Sequence, residues 1–292
     1  MRSVFILCCC IVLVSPVVGY ASLTNEIIEQ LPAGSINWTR NVLVAKGKAT
    51  PQLSSDHDQQ RPPVAQWAYQ LAMQNILQLL SQVRVDSYRK VSDVIAGKQG
   101  ASIKIQEMAK SATVLEQTSG DDGSVTVTLQ MPLLGGFAQL MLPPEIKQVE
   151  TIKPVNRRKT HELGNVTSVA DDQHPAQSRD VYTGLIVDAR GIGARPAMVP
   201  TIRDENGEEV YSAAYISREF AVQQGVSKYV EAPNDPGRDP RTGPKPLLVK
   251  GLRTMEHAAC DIVISNADAS KLRSASAHLK FLKQCRVTII LQ

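Results

Sequence analysis

The fifteen residues from Val4 to Val18 carry no charge, and only Ser15 and Pro16 interrupt their apolar character. Arg2 stands ahead of this run and Gly19-Tyr20-Ala21 behind it, with small residues at the two positions a signal peptidase reads. The pattern predicts an export leader over residues 1–21, cleaved near Ala21. The run is short of the roughly 20 apolar residues that a membrane-spanning helix needs. Cys8, Cys9 and Cys10 lie inside it, whereas a lipidated cysteine would stand at its far end. Beyond the leader the hydrophobic period changes. Residues 35–50 are rich in β-formers and end in Gly47 and Pro51, which predicts one or two strands. A polar connector, 52–61, leads to Pro62-Pro63, residues tolerated in the first turn of a helix. Val64, Ala68, Ala72, Ile76, Leu79 and Val83 then recur at helical spacing, with no charge between Arg61 and Arg84. This helix is expected to be buried over most of its surface, with Trp67 in the core and alanines small enough to let a sheet approach.

Residues 102–108 alternate, and Gly120-Asp121-Asp122-Gly123 separates 112–116 from 125–129 as a strand, turn and strand. Leu133 to Leu142 reads as one further apolar strand, closed by Pro143-Pro144. Residues 150–180 are polar and aperiodic, a linker or long surface loop. A second unit opens with a strand over 181–187, and Glu205-Asn206-Gly207-Glu208 between β-formers signals a hairpin. Residues 217–224 look helical and 226–230 extended. Five prolines between Pro233 and Pro246 mark a loop. Strand 261–265, a helix capped by Asp268 with Leu272, Ala275, Leu279 and Leu282 on one face, and strand 286–291 complete the chain. Such a strand-helix-strand unit favours a parallel pair of strands. The expected fold is therefore α+β: two small domains, 35–146 and 181–292, each a sheet packed by one or two helices, joined by a linker over 147–180.

The first unit, from about Trp38 to Leu142, resembles the domain shared by the small outer-membrane lipoprotein family and the N-terminal domain of flagellar assembly protein T. The resemblance is carried by Ala45-Lys46-Gly47-Lys48-Ala49, the alanine-rich helix 65–80, Val83-Arg84-Val85-Asp86-Ser87 and the hairpin at Asp122-Gly123. Gly47-Lys48-Ala49 stands where the family often has Gly-x-Gly, and the lipobox of the lipoprotein members is missing. The resemblance implies a small α+β domain used for assembly or anchoring in Gram-negative envelope proteins, and brings no catalytic residues.

Charge narrows the partners. The net charge is +4, of which Arg2 supplies one, so the chain without its leader carries +3. That is too mild for a nucleic-acid footprint, and 4% aromatic residues give no stacking platform. After leader cleavage only Cys260 and Cys285 remain, an even count in an oxidising compartment. Each precedes a predicted strand. If those strands are parallel neighbours, the two Cα atoms lie roughly 5 Å apart, within disulfide range. Two buried free thiols are the alternative.

Candidate chemistry is sparse. Gly191-Ile192-Gly193 follows a predicted strand as a dinucleotide loop would, but Pro196 replaces the third glycine and Pro200 blocks the helix that would hold a pyrophosphate, so a turn is expected. Asp188, Arg190 and Arg195 around that turn could form an ion network, either locking the turn or contacting an anionic ligand or partner. One Asp with two Arg is a poor acid-base set. His57, His161, His174, His257 and His278 are scattered without the close pairing of a metal site and read as surface or capping residues. No Gly-x-Ser-x-Gly occurs. No catalytic, cofactor or metal residues are expected. The functional expectation is a non-enzymatic periplasmic envelope protein acting through protein partners, with flagellar or other surface-structure assembly as its setting. Outer-membrane association or peripheral membrane contact would suit it, with no transmembrane segment after cleavage. The alternative is a periplasmic small-ligand-binding module using the Asp188–Arg195 turn.

Overall fold

A computed structural model describes residues 26–51, 63–147, 181–232 and 239–291. The expected leader, the 52–61 connector and nearly all of the linker lie outside the described residues. The fold is mixed α+β, with two sheets of 5 and 7 strands.

The first sheet joins β1 (Ile28–Leu31), β2 (Gly34–Asn37), β3 (Val42–Ala49), β5 (Val125–Pro132) and β4 (Thr113–Ser119) in that spatial order. All of its pairings are antiparallel. The 19-residue helix α1 (Val64–Gln82) lies across β3 and β5. Its contact with the sheet is unusually close, and two residue types make it so. A Cβ placed on Gly47 would sit 2.1 Å from the Ala68 carbonyl oxygen and 2.2 Å from the Ala72 amide nitrogen. Ala68 and Ala72 are themselves fully buried. The expected alanine face therefore meets a glycine that leaves it room. Trp67 is only partly buried, and Trp38 is the tryptophan of the core.

Three further expectations change in this unit. The sheet reaches back to Ile28, so a boundary at residue 35 would cut it inside β2. The alternating stretch 102–108 belongs to helix α3 (Ala101–Ala109), which follows the short α2 (Val91–Ala96). The apolar run 133–142 is helix α4 (Gly136–Met141), entered through Gly135 at φ +66. Gln139 is the one polar residue of this short run, too little to reveal its period.

The second sheet carries β8 (Glu209–Tyr211), β7 (Thr201–Arg203), β11 (Ala258–Ile264), β10 (Pro246–Met255), β6 (Gly184–Asp188), β12 (Val287–Ile290) and β9 (Lys228–Val230) in spatial order. Strands β10, β6, β12 and β9 run parallel, while β11 pairs antiparallel with β10. The Asn206-Gly207 hairpin forms between β7 and β8 as expected, and 218–224 is helix α5 (Arg218–Gln224). Strand β10 lies in the middle of the sheet and begins at a proline that was read as the end of a loop. Proline is tolerated as the first residue of a strand, where its missing N–H is not needed.

The C-terminal strand-helix-strand unit is present, but its strands are not parallel neighbours. Two helices, α6 (Asn266–Arg273) and α7 (Ser276–Lys283), replace the single expected one, and Leu279 is exposed. The N-cap of α6 is Ser265, whose hydroxyl accepts from the Asp268 amide at 3.1 Å and donates to Asp268 Oδ2 at 2.9 Å. Strands β11 and β12 run in opposite directions with β10 and β6 between them.

Candidate functional site

Asp188 ends β6, and Arg190 folds back on it with two hydrogen bonds, Nε to Oδ1 at 2.8 Å and Nη2 to Oδ2 at 2.6 Å. The Arg190 amide also donates to Asp188 Oδ1 at 3.2 Å. Gly191 and Gly193 take φ +76 and +69, the left-handed conformation the turn needs. The Arg190 hydrogen bond, opposed by partial burial, holds the Asp188 carboxyl below its usual range. No helix follows the turn, so nothing is built there to hold a pyrophosphate.

Arg195 is not part of this pair. Its backbone N–H donates to the Ala259 carbonyl at 2.8 Å, and its guanidinium reaches Glu29 at 3.3 Å, on the first sheet. Glu29 also takes two hydrogen bonds from Arg84 and one from the Trp38 indole at 2.9 Å. The Arg84 guanidinium lies 5.4 Å from the Trp38 ring centre and donates through Nε to the Pro196 carbonyl at 2.8 Å. Burial works against ionisation of Glu29, but the bonds from Arg84 and Trp38 and the charges of Arg84 and Arg195 outweigh it, leaving the carboxyl below its usual range. Glu29 lies before the expected first domain, and Arg84 was read only as part of a family-like segment. Their convergence is a tertiary fact with no local signature.

This node is one part of a continuous seam between the units. The Met198 and Val199 amides donate to the Arg84 and Val85 carbonyls at 3.0 and 2.8 Å, a short backbone ladder between units. Trp38 meets Tyr229 edge to face at 6.3 Å, and the Tyr229 hydroxyl donates to the Ala197 carbonyl at 2.8 Å. Ser87 donates to the buried Asp261 at 2.6 Å and accepts from the Cys260 amide at 3.2 Å. At the far end, Arg218 of α5 donates to the carbonyls of Gln139, Leu142, Pro143 and Ile146, around the C-terminal end of α4.

Cys260 and Cys285 are free and buried, so the expected disulfide is absent. Cys260 lies in β11 and Cys285 just ahead of β12, and the three strand spacings between those strands amount to roughly 14 Å. Because the two strands run in opposite directions, their starts also fall at opposite ends of the sheet. Burial pushes the Cys285 thiol up to about 11, and burial likewise raises the Cys260 thiol.

Of the histidines, His57, His161 and His174 lie outside the described residues. His257 is exposed at the β10–β11 turn with φ +58. His278, expected as a surface or capping residue, is fully buried; its Nε2 accepts from the Tyr182 amide at 3.1 Å and its Nδ1 lies 3.0 Å from the carbonyl oxygen of Lys271, in the last turn of α6. Among the described residues no group of three or more His, Cys, Asp or Glu could hold a metal ion.

An open cleft of about 660 Å³ lies beside the Glu29 node, between the Arg84–Ser87 segment and the β10–β11 hairpin. Arg84, Ser87, Arg195, Arg253, His257 and Cys260 are among its lining residues.

These features define a two-unit α+β protein whose units are joined along a polar seam. Residues 184–292, from the start of β6, match the family model of the second domain of Treponema pallidum Tp0624, to which this unit is therefore similar. No curated protein matches the chain.

Proposed function

We propose that this chain is an exported, non-enzymatic protein of the cell envelope that works by binding protein partners, in flagellar or other surface-structure assembly. The leader pattern and the resemblance of the first unit to envelope assembly domains motivate the reading. The observation that carries it is β4. All seven of its residues are exposed, it is the outermost strand of the first sheet, and Val114 and Leu115 are 52% and 60% exposed. Its outer edge has no strand partner among the described residues, and unpaired strand edges accept an added strand unless they are blunted. Strand β4 carries no proline or lysine and only one charge, Glu116, so its occupant is an extended segment of an envelope partner paired by main-chain hydrogen bonds. No helix among the described residues is long and apolar enough to cross a membrane.

Photo-crosslinking from position 115 in intact cells, read by mass spectrometry, tests the proposal. Adducts with one or a few envelope proteins are expected, and they should disappear when Gln117→Pro removes a backbone donor from β4. Turnover of an esterase, phosphatase or glycosidase panel by the pure protein would overturn the non-enzymatic reading. The alternative reading, a ligand module at the Asp188–Arg195 turn, loses its third member because Arg195 turns away to Glu29.

A further inference from the structure

The cleft beside Glu29 draws its cations from two separate segments. Strand β10 alternates buried and exposed residues as far as Gly251, and then both Leu252 and Arg253 are exposed. The break coincides with a bulge between Gly251 and Arg253 in the pairing with β11. A bulge re-aims the side chains that follow it, and bulges are over-represented beside functional sites. Here it sets Arg253 on the cleft wall. At the bulge Gly251 leaves room for its neighbours, since a Cβ there would stand 3.0 Å from Ile262 and 3.1 Å from Ile192. Arg195 is fixed by its own backbone bond to Ala259 in the facing strand.

Among the described residues, neither cation has a carboxylate to itself. Glu29 is one carboxylate serving two arginines, and Arg84 takes it with two hydrogen bonds while Arg195 reaches it with a single longer one. The Arg195 side chain stays 60% exposed. Among the described residues the Arg253 guanidinium has only Met255 Sδ, at 3.7 Å. Glu256, the carboxylate on the cleft rim, is turned to His257 at 3.6 Å. Cys260 and Ser87 supply no reacting group, because the thiol is buried and neutral and the hydroxyl is taken by Asp261.

We propose that this cleft binds a small organic oxyanion with two or more carboxylate or phosphate groups, gripped by Arg195 and Arg253. Guanidinium groups pair with such oxyanions through forked hydrogen bonds. The volume falls within the roughly 300–1,000 Å³ of small-molecule sites, which concentrate at the junctions between domains. The cleft belongs to the seam and not to β4, so the site and the strand-pairing surface stand or fall separately.

The probes are citrate and inorganic pyrophosphate, titrated into the full chain at low salt by calorimetry and by tryptophan fluorescence, since Trp38 touches Glu29 and Arg84. Saturable binding of at least one probe is expected, weakened by at least about tenfold in the Arg195→Ala, Arg253→Ala double variant. Lys104→Ala, on α3 outside the cleft, should bind like wild type. Should the double variant fail to fold, Arg253→Gln alone carries the test, because Arg253 has no ion pair to lose among the described residues. Unsaturable or absent binding of both probes at millimolar concentration, or equal binding by wild type and the arginine variants, would overturn the site.

Discussion

Glu29 ties Arg84 and Trp38 of its own unit to Arg195 of the second, and its charge makes this node sensitive to acid. Glu29→Gln keeps the shape but leaves Arg84 and Arg195 against a neutral amide. Their pairing is largely shielded from water, with side-chain exposures of 14% for Arg84 and 19% for Glu29. The expected loss in urea unfolding at neutral pH is about 2–3 kcal/mol, below the full cost of breaking a wholly buried pair. The carboxyl is held below its unfolded value of about 4.3, so its contribution is present above that pH and lost as pH falls through the folded value. Wild type should therefore lose more stability than Glu29→Gln between pH 7 and pH 3, and equal losses would remove Glu29 from the acid response. The thiols behave in the opposite sense. Burial favours the neutral form of Cys285, so its contribution is complete below the unfolded value of about 8.5 and is lost as pH rises toward about 11. Cys260 and Cys285 should resist a thiol reagent in the folded protein and react only in denaturant; a reagent-inert pair even in denaturant would mean a disulfide after all. The sequence placed Asp188 and Arg190 together because two residues of spacing on a turn is a local relation. It misassigned Arg195 because the rival carboxylate stands 166 positions away.

Among elements, the contact of α1 with β3 is the tightest joint of the first unit. Gly47→Val would drive a side chain into the helix backbone and should cost about 3 kcal/mol or more, since the atoms in the way are main chain and cannot rotate aside. Ala68→Asp, which buries an unpaired charge at the same place, should be at least as damaging. A near-wild-type melting midpoint for either would mean that helix and sheet part readily. Half of this joint was visible in the sequence, as the uncharged alanine face; its complement, Gly47, stood out as a strand end and in a family-like motif, not as the helix's partner. Turn chemistry was equally readable, and both hairpins formed where Gly120–Gly123 and Asn206-Gly207 stood. Two elements escaped for a common reason. Helix α4 has only Gln139 as a polar residue, too little to reveal its period, and β10 follows a proline-rich loop that masks its alternation. The disulfide expectation failed one level higher. Strand order is decided by pairings such as β10 with β6, between residues some 60 positions apart, and nothing near either cysteine records them.

At the scale of the molecule, the two sheets share one apolar cluster that runs from Trp38 and Leu43 through Val199 and Tyr229 to Leu185 and Val187. A fragment cut at the expected bounds 35–146 does not suit this arrangement. That fragment would lack β1 and part of β2, expose Trp38 where Tyr229 covers it, and leave Arg84 without Glu29. The seam also joins the units by main-chain bonds at Val85 and, through Gly135, to the Val222 carbonyl at 2.9 Å. When an interface carries backbone pairing, an ion-paired node and shared core, opening it costs a large fraction of the roughly 5–15 kcal/mol that a folded protein commands. The units should therefore unfold together. Both tryptophans, Trp38 and Trp67, lie in the first unit, so indole fluorescence follows that unit and its seam while far-ultraviolet circular dichroism follows both units. The expected outcome is coincident denaturation curves from the two probes in the intact chain. Arg84→Ala, which strips the node from the seam, should lower the midpoint seen by both probes, or split them with the second unit persisting. Two separated transitions in the wild-type chain would show that the seam is a contact of convenience between independently stable domains.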